Sequence, residues 1–569
     1  MSLTLENLNQ SSESEFVMLL EDVYEHAPWV ATQAATSRPF STITALKQAL
    51  LKSVRETSTE NRLTFLKQQK RLLALNNVNQ AKVDELQEQY QNKFGYFPIA
   101  APPVACDQPV DDEQLIQTLA TRLTHSEEFE LAENIRHAHR IAELKLNKLL
   151  NQQPTLGTVI LKWSHELAQH TDSGYEDLGQ LTVTYLTDAH QNCAKQIAQW
   201  MGKDCGFDEV TIDAVGNVVG VYHGSKSDSP RLMTGSHYDT VRNGGKYDGR
   251  LGILAPMAVI RTLSHKKQRL PFGIEVVAFA EEEGQRYKAV FLGSSALTGS
   301  FDLAWLDQVD RDAVSMREAM QQAGLDPSLI QSLKRDPSNY LGFVEIHIEQ
   351  GPVLNALDLP LGAVTSINGG VRMLGTVIGT ASHAGTTPMT MRQDALTAVA
   401  QLALYLEQRA KRDPDLVGTI GMLEVPNGSI NVIPGRCRFS LDIRATTDAV
   451  RDACVTDVKN ELARICAERS VRFELEEIMR VAAAPSDPKW QARWVSAIAN
   501  LGLAPFLMPS GAGHDAMKLH DIMPQAMLFV RGLNSGISHN PLEAITDDDA
   551  HLCALAFEQL LEQLSRELQ

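Results

Sequence analysis

Residues 231–252 read RLMTGSHYDTVRNGGKYDGRLG, and the succession of residue types in this stretch decides the fold. Arg231 to Thr234 is a β-like run, the glycine-punctuated segment after it is a loop, and the apolar stretch from Gly252 to Ile260 reads as a core helix. A strand that gives way to a polar loop and then to a helix is the repeating unit of an α/β sheet with helices on its faces. Outward from this stretch, Asn217 to Tyr222 and Ile274 to Phe279 are further short β-rich runs between helical stretches. Around residues 364–480 a second α/β stretch follows. It has strands at Met373–Ile378 and Cys437–Ile443, and helices from about Asp394 to Arg409 and from about Val450 to Glu468. This predicts an inserted domain at 364–480 within a domain built from 153–363 and 481–569.

Upstream, residues 1–152 read as all-α. Apolar positions in Phe16-Val17-Leu19-Leu20-Val23, Leu46-Leu50-Leu51-Val54 and Leu115-Leu119-Leu123 fall near a 3.6 period. Pro98, Pro102 and Pro103 mark a loop, and a charged helix from Glu127 to Leu150 ends at Asn151-Gln152-Gln153-Pro154, the expected boundary.

Composition narrows the function. The chain has 569 residues, past the size at which one core keeps growing, so several domains are expected. A net charge of −18 excludes nucleic acid and anionic membranes as partners, because both need basic patches. No apolar run is long enough for a membrane span, and the polar, acidic N-terminus lacks the pattern of a secretory signal. The seven cysteines are scattered and form no C-x-x-C pair, so reduced thiols in a cytoplasmic protein are expected.

Five segments carry ligand-type residues at loops or strand ends. In Gly235-Ser236-His237-Tyr238-Asp239-Thr240, His237 can offer a ring nitrogen to zinc. Asp239, two residues on, faces the same side of an extended chain and can hold the other ring nitrogen. In Gly244 to Gly252, glycines let the backbone turn tightly around a cation that Asp248 can bridge to a second one. In Glu281-Glu282-Glu283-Gly284, adjacent carboxylates repel unless a cation or proton compensates, so one suits a ligand and another a general base. Glu345 to Gly351 presents His347, and Gly536 to Pro541 presents His539. Taken singly, a lone histidine is more often structural and an acidic triplet more often solvated surface. Taken jointly and in order, the five point to a two-metal hydrolase.

These segments, GISHNP among them, together with SHAGTTPM, INVIPG, LDIR and SGAGHDA, span residues 155–569. They resemble the metal-dependent amidohydrolases that include allantoate amidohydrolase, N-carbamoyl-L-amino-acid hydrolase and β-ureidopropionase, within the aminoacylase and carboxypeptidase group. The resemblance implies metal ligands at His237, Asp248 (bridging), Glu283, His347 and His539, with zinc or manganese as the two divalent ions. It implies Glu282 as general base, and Gln350, Asn431, Arg444 and Gly513 on the substrate. It implies that His383, commonly supplied across a homodimer, stabilises the oxyanion. The fold class implied is α/β: a two-metal catalytic domain with an inserted smaller α/β dimerisation (lid) domain, preceded by an all-α domain.

The N-terminal segment is similar to the ureidoimidazoline (OHCU) decarboxylases of urate breakdown in Glu25 to Val30, Arg38-Pro39-Phe40, Asn92 to Tyr96 and Arg140 to Leu144. Where that family carries a catalytic His-Pro, this chain reads Gln69-Lys70, so a non-catalytic module is expected. A urate-pathway module beside a ureido-acid hydrolase favours allantoate as the small-molecule substrate. Alternatives are an N-carbamoyl-L-amino-acid hydrolase, a β-ureidopropionase, or, in another class, a non-catalytic scaffold.

Overall fold

The computed structural model describes residues 3–24, 26–40, 42–68, 80–98, 116, 119–120, 122–124, 126–150, 155–176, 180–226 and 228–569. Gln69-Lys70, Leu115, Pro102, Pro103 and the expected boundary Asn151–Pro154 lie outside these residues. The chain forms two compact units. The first comprises Met1–Ala363, Ala492–Phe506 and Met527–Gln569, and the second Val364–Gln491 and Leu507–Ala526.

In the first unit, β1 (Glu209–Ile212), β2 (Val218–Tyr222), β3 (Arg231–His237), β4 (Gly273–Phe279), β5 (Tyr340–Ile348), the part of β16 (Gln525–Val530) from Met527 on and the part of β6 (Leu361–Ile367) up to Ala363 take the order β1-β2-β4-β3-β5-β16-β6. The centre is parallel, β3 running with β4 and with β5, while β1 and β2 are antiparallel additions. Strands β2, β4 and β16 are buried along their whole length. That explains why they read as continuous apolar runs rather than alternating ones: both faces of a parallel-centred sheet are covered. The helices Leu156–Leu167, Leu251–His265 and Asp547–Glu567 pack on one another, and Leu251–His265 also packs on β3. Thr155 and Thr546 cap the first and last of these, their side chains accepting from Thr158 N and Asp549 N.

The N-terminal helices Leu5–Gln10, Glu13–Leu20, Pro28–Ala35, Ile43–Arg55, Thr59–Gln68 and Glu127–Leu149 close over their own core, which includes Phe16, Leu46, Leu50, Val54, Phe65, Tyr90 and Leu146. The helix Gln80–Phe94 supplies Tyr90 to it.

The second unit holds an antiparallel sheet in which β10 (Leu423–Glu424), β12 (Arg436–Ala445), β7 (Gly369–Ile378) and β13 (Arg472–Val481) are successive neighbours, with β9 (Leu416–Thr419) also on β12. Strict alternation along β12 buries Cys437, Phe439, Leu441, Ile443 and Ala445 under the helices Ala395–Ala410 and Asp448–Glu468. This unit begins at 364 but continues past 480 to Gln491 and takes in Leu507–Ala526. The reason is pairing: Ala484 in β14 (Ala484–Pro485) sits opposite Ile367, and Asn368 N donates at 2.9 Å to the carbonyl of Ser510, the last residue of β15 (Leu507–Ser510). No helix among the described residues is long and apolar enough to cross a membrane.

Candidate active site

The first unit brings His237, Asp239, Asp248, Glu282, Glu283, His347 and His539 to the C-terminal ends of β3, β4 and β5, where an open parallel sheet places its crevice. His237 ends β3 and His347 lies one residue from the end of β5. Asp248 and His539 lie in loops rather than at strand ends. They sit well along the loops after β3 and β16, as the glycine-rich turn and the polar segment around them suggest, and loop contacts carry them back to the strand ends.

Asp248 is the centre. Its Oδ1 lies 3.8 Å from His237 Nε2 and 3.4 Å from His347 Nε2, and its Oδ2 lies 3.1 Å from His539 Nε2. Glu283 Oε1 is 3.3 Å from the same His539 nitrogen. Two groups of three donors result, His237–Asp248–His347 and Asp248–Glu283–His539, which share Asp248. The set His237–Glu282–Glu283 overlaps both. Imidazole and carboxylate donors in sets of three, joined by one bridging carboxylate, suit two divalent cations.

The surroundings orient these donors. His347 Nδ1 donates to the Ile348 carbonyl at 2.9 Å, so Nε2 carries the lone pair that faces Asp248. His237 Nδ1 is held the same way, 3.1 Å from the Asp239 carbonyl and 3.3 Å from Asp239 Oδ1. Asp239 has a second job: its two carboxylate oxygens accept Glu282 N at 3.1 Å and Glu283 N at 3.2 Å, fixing the turn that presents both glutamates. Gly249 has φ +67°, and a Cβ there would lie 2.4 Å from the His237 carbonyl oxygen. Gln350 and His539 also adopt left-handed backbone, at φ 57° and 54°, a strained choice for such side chains and one that clusters at functional sites.

Charge is concentrated here. Burial opposes protonation of His237, yet the Asp239, Glu282 and Asp248 carboxylates outweigh it and raise its pKa well above the usual range. Hydrogen bonds to Asp248 and Glu283 push His539 up to about 10. Burial, with the His237 charge, pulls His347 down to about 4. Burial raises Glu283 and also opposes ionisation of Asp248, but contacts with His539, His347 and His237 hold Asp248 below the ordinary carboxylate range.

Glu543 was not singled out by the sequence reading. It is buried, its Oε1 accepts Tyr247 N at 2.8 Å and Asp248 N at 3.1 Å, and its Oε2 accepts the Ser538 hydroxyl at 2.8 Å. One carboxylate therefore ties the Asp248 loop to the His539 loop. A Cβ on Gly245 would lie 2.1 Å from Glu543 Cδ, which is why that position is glycine. The available signal was a glutamate four residues after His539, just beyond the segment Gly536 to Pro541. Burial raises its pKa to about 7, with Asp248 adding to the effect.

Gln350, expected on the substrate, sets its amide nitrogen 3.1 and 3.2 Å from the two Asp248 oxygens. In the second unit His383 and Asn431 are brought together: β8 (Ser382–His383) pairs with β11 (Val432–Ile433), Val432 opposite His383, and Ala384 N donates to the Asn431 carbonyl at 2.9 Å. His383 Nδ1 accepts Gly385 N at 3.0 Å and is exposed, leaving Nε2 on the outer side of the ring. Arg444 grips Asp442 with two bonds of 2.8 Å and donates to the Gly511 carbonyl at 2.8 Å, two residues before Gly513. Two of the five guanidinium N–H groups are not engaged in these contacts.

The Peptidase family M20/M25/M40 profile matches residues 233–563, more than half of the chain, and the OHCU decarboxylase profile matches residues 9–74 and 64–147. The chain is 38% identical over 387 residues to the N-carbamoyl-L-amino acid amidohydrolase of Geobacillus stearothermophilus, spanning 68% of this chain and 93% of that one. It is 36% identical over 430 residues to the allantoate deiminase of Arabidopsis thaliana, spanning 70% and 80%. The solved structure of an amidase of the hydantoinase/carbamoylase family from Burkholderia multivorans superposes with a TM-score of 0.67 at 31% identity, covering 73% of this chain and 99% of that one. The chain belongs to the M20/M25/M40 peptidase family as an amidohydrolase of C–N bonds other than peptide bonds, with an OHCU decarboxylase domain at its N-terminal end.

Proposed function

We propose that this chain hydrolyses the carbamoyl group of allantoate, giving ureidoglycine, ammonia and carbon dioxide, at a site that holds two divalent cations. The observation that carries the reading is the pair of three-donor groups sharing Asp248. In it, His237, His347, His539 and Glu283 are the remaining ligands. When bound, the cations polarise the ureido carbonyl and make water acidic enough to react near neutral pH. Zinc and manganese both suit this donor set.

Glu282 takes a proton from the attacking water at its carboxylate and returns it to the leaving nitrogen. Asp239 keeps His237 oriented and holds the backbone of Glu282 in place. Gln350, Asn431, Arg444 and Gly513 bind the substrate, the two N–H groups of Arg444 that Asp442 and Gly511 leave unused suiting a carboxylate, and His383 donates to the oxyanion. The substrate reading is supported by the similarity to an allantoate deiminase together with the OHCU decarboxylase domain. That domain is non-catalytic in this reading, because Gln69-Lys70 stands in place of His-Pro.

A homodimer through the second unit is supported by the exposed Leu374, Met422, Leu423, Phe473 and Ile478 on its strands and the loop before β10. Buried, unpaired cysteines among the described residues support a reducing, cytoplasmic setting.

A second reading, an N-carbamoyl-L-amino-acid hydrolase, is favoured by the similarity to the Geobacillus stearothermophilus protein. Ammonia release by Mn²⁺- or Zn²⁺-loaded protein on allantoate, N-carbamoyl-L-amino acids and N-carbamoyl-β-alanine separates them. A kcat/KM on allantoate at least about tenfold above the others is expected. The reverse preference overturns the substrate, and no release from any ureido acid overturns the hydrolase.

A further inference from the structure

The C-terminal helix Asp547–Glu567 opens with three consecutive aspartates, and each is held by a different part of the chain. Asp547 accepts the Thr155 hydroxyl at 2.7 Å and that of Thr158, at the start of the helix Leu156–Leu167. Asp548 is buried against the N-terminal domain, where it pairs with the Lys47 ammonium and accepts Asn147 Nδ2 at 3.2 Å. Asp549 receives a two-pronged contact from Arg531, at 3.0 Å from Nε and 2.7 Å from Nη2. Arg531 also pairs with Asp358, and its own N–H donates to the Pro360 carbonyl at 3.0 Å.

Arg531 immediately follows β16 and starts the segment that returns to the helix at Thr546. That segment is a closed loop: Leu533 N donates to the Ala544 carbonyl at 2.7 Å, and Asn534 Nδ2 to the Leu542 carbonyl at 2.6 Å. It carries His539, and it carries Glu543, which holds the Asp248 backbone. Its two ends, Arg531 and Thr546–Asp549, are thus pinned to each other, and the pin is continuous with a buried ion pair donated by the N-terminal domain. A buried carboxylate with its cation removed becomes uncompensated charge, so Asp548 cannot keep its position once Lys47 is gone.

We propose that the N-terminal domain, whatever its ancestral chemistry, is a positioning element for the hydrolase site: Lys47 and Asn147 fix Asp548, and through the adjoining Asp549–Arg531 pair they fix the loop that presents His539 and Glu543. Lys47 is a positioning residue that touches neither substrate nor cation. This inference rests on the reading of His539 as a cation ligand.

The test uses full-length protein, wild type against Lys47→Met and Asn147→Leu, with Lys52→Met on the exposed side of the same helix as control. Three quantities are measured: Mn²⁺ binding by titration calorimetry, hydrogen exchange of peptides from 531–546, and Tm. Lys47→Met and Asn147→Leu should weaken Mn²⁺ binding about fivefold or more and speed exchange in 531–546, with Lys52→Met unchanged. A lowered Tm with Mn²⁺ affinity and loop exchange both at wild-type values overturns the inference, since it shows a support role alone. If Lys47→Met does not fold, Asp548→Asn, which keeps the shape and one acceptor oxygen while losing the charge, takes its place under the same criteria. Wild-type protein that binds no Mn²⁺ defeats the two-cation reading instead, and loop exchange in the variants then decides the coupling by itself.

Discussion

Replacing Glu543 by alanine separates the stability of this fold from the assembly of its site. The glutamate accepts three hydrogen bonds, from Tyr247 N, Asp248 N and the Ser538 hydroxyl. Ser538 can turn toward Asp248 Oδ2, 3.5 Å away, but the two backbone N–H groups are fixed in place. Each buried N–H left without an acceptor costs about 1–3 kcal/mol, so about 2–6 kcal/mol is at stake. Against this stands the cost of keeping the carboxylate ionised in a buried place. A pKa raised from 4.5 to about 7 corresponds, at roughly 1.4 kcal/mol per unit, to about 3 kcal/mol of relief at pH 8 once the charge is gone. The two terms largely cancel, so Tm should move by only a few degrees.

Cation binding has no such compensation, because the Asp248 and His539 loops lose their common anchor. Loss of a group that orients metal ligands costs about 10–100-fold in affinity. Titration calorimetry with Mn²⁺ on Glu543→Ala at pH 8 should therefore show a Kd raised by that factor. Glu543→Gln, whose amide oxygen can still accept both N–H groups, should stay near wild type. A Kd for Glu543→Ala within twofold of wild type would refute the reasoning, as would Glu543→Gln losing as much affinity as the alanine variant.

Other substitutions give independent readings. Glu282→Gln should lower kcat by about 10²–10⁴ while Mn²⁺ binding is retained, and retained turnover would remove Glu282 from the proton-transfer role. Arg444→Lys gives up the bidentate fork and should raise KM for ureido acids about tenfold, with much less effect on the corresponding ureido amides. Asp213, whose pKa burial raises from 3.8 to about 6, gives a pH test. The folded state holds its proton more tightly than the unfolded state, so wild-type stability contributed by this group falls as pH rises from about 4 to about 6. The stability of Asp213→Asn relative to wild type should accordingly climb by up to about 3 kcal/mol across that window and level off above it. A difference that is flat with pH in urea unfolding would show that the group is not perturbed.

Much of this protein is legible in its sequence. The strands at 218–222, 231–237, 273–279 and 436–445 and the helices near 395–410 and 448–468 were visible because their periodicity is a local property of the chain. The ligand-type residues were visible because His237, Asp248, Glu283, His347 and His539 are side chains of the right chemistry in segments of the right order. What escaped was every feature defined by distance in space between segments far apart in sequence. Glu543 meets the Asp248 backbone across 295 positions, and Lys47 meets Asp548 across 501. The unit boundary falls inside β6 because one strand pairs at its two ends with different parts of the chain, Phe529 with Gly362 and Ala484 with Ile367.

The sequence alone determined which atoms could bind a cation or move a proton, since that is a matter of residue type. Only the tertiary structure decided that Asp248 stands between two sets of donors, that Asp239 steadies a histidine and a glutamate turn at once, and that an N-terminal domain reaches the base of the His539 loop. Hydrogen bonds and ion pairs act over about 3 Å, and no local pattern records which distant residues the folded chain brings that close.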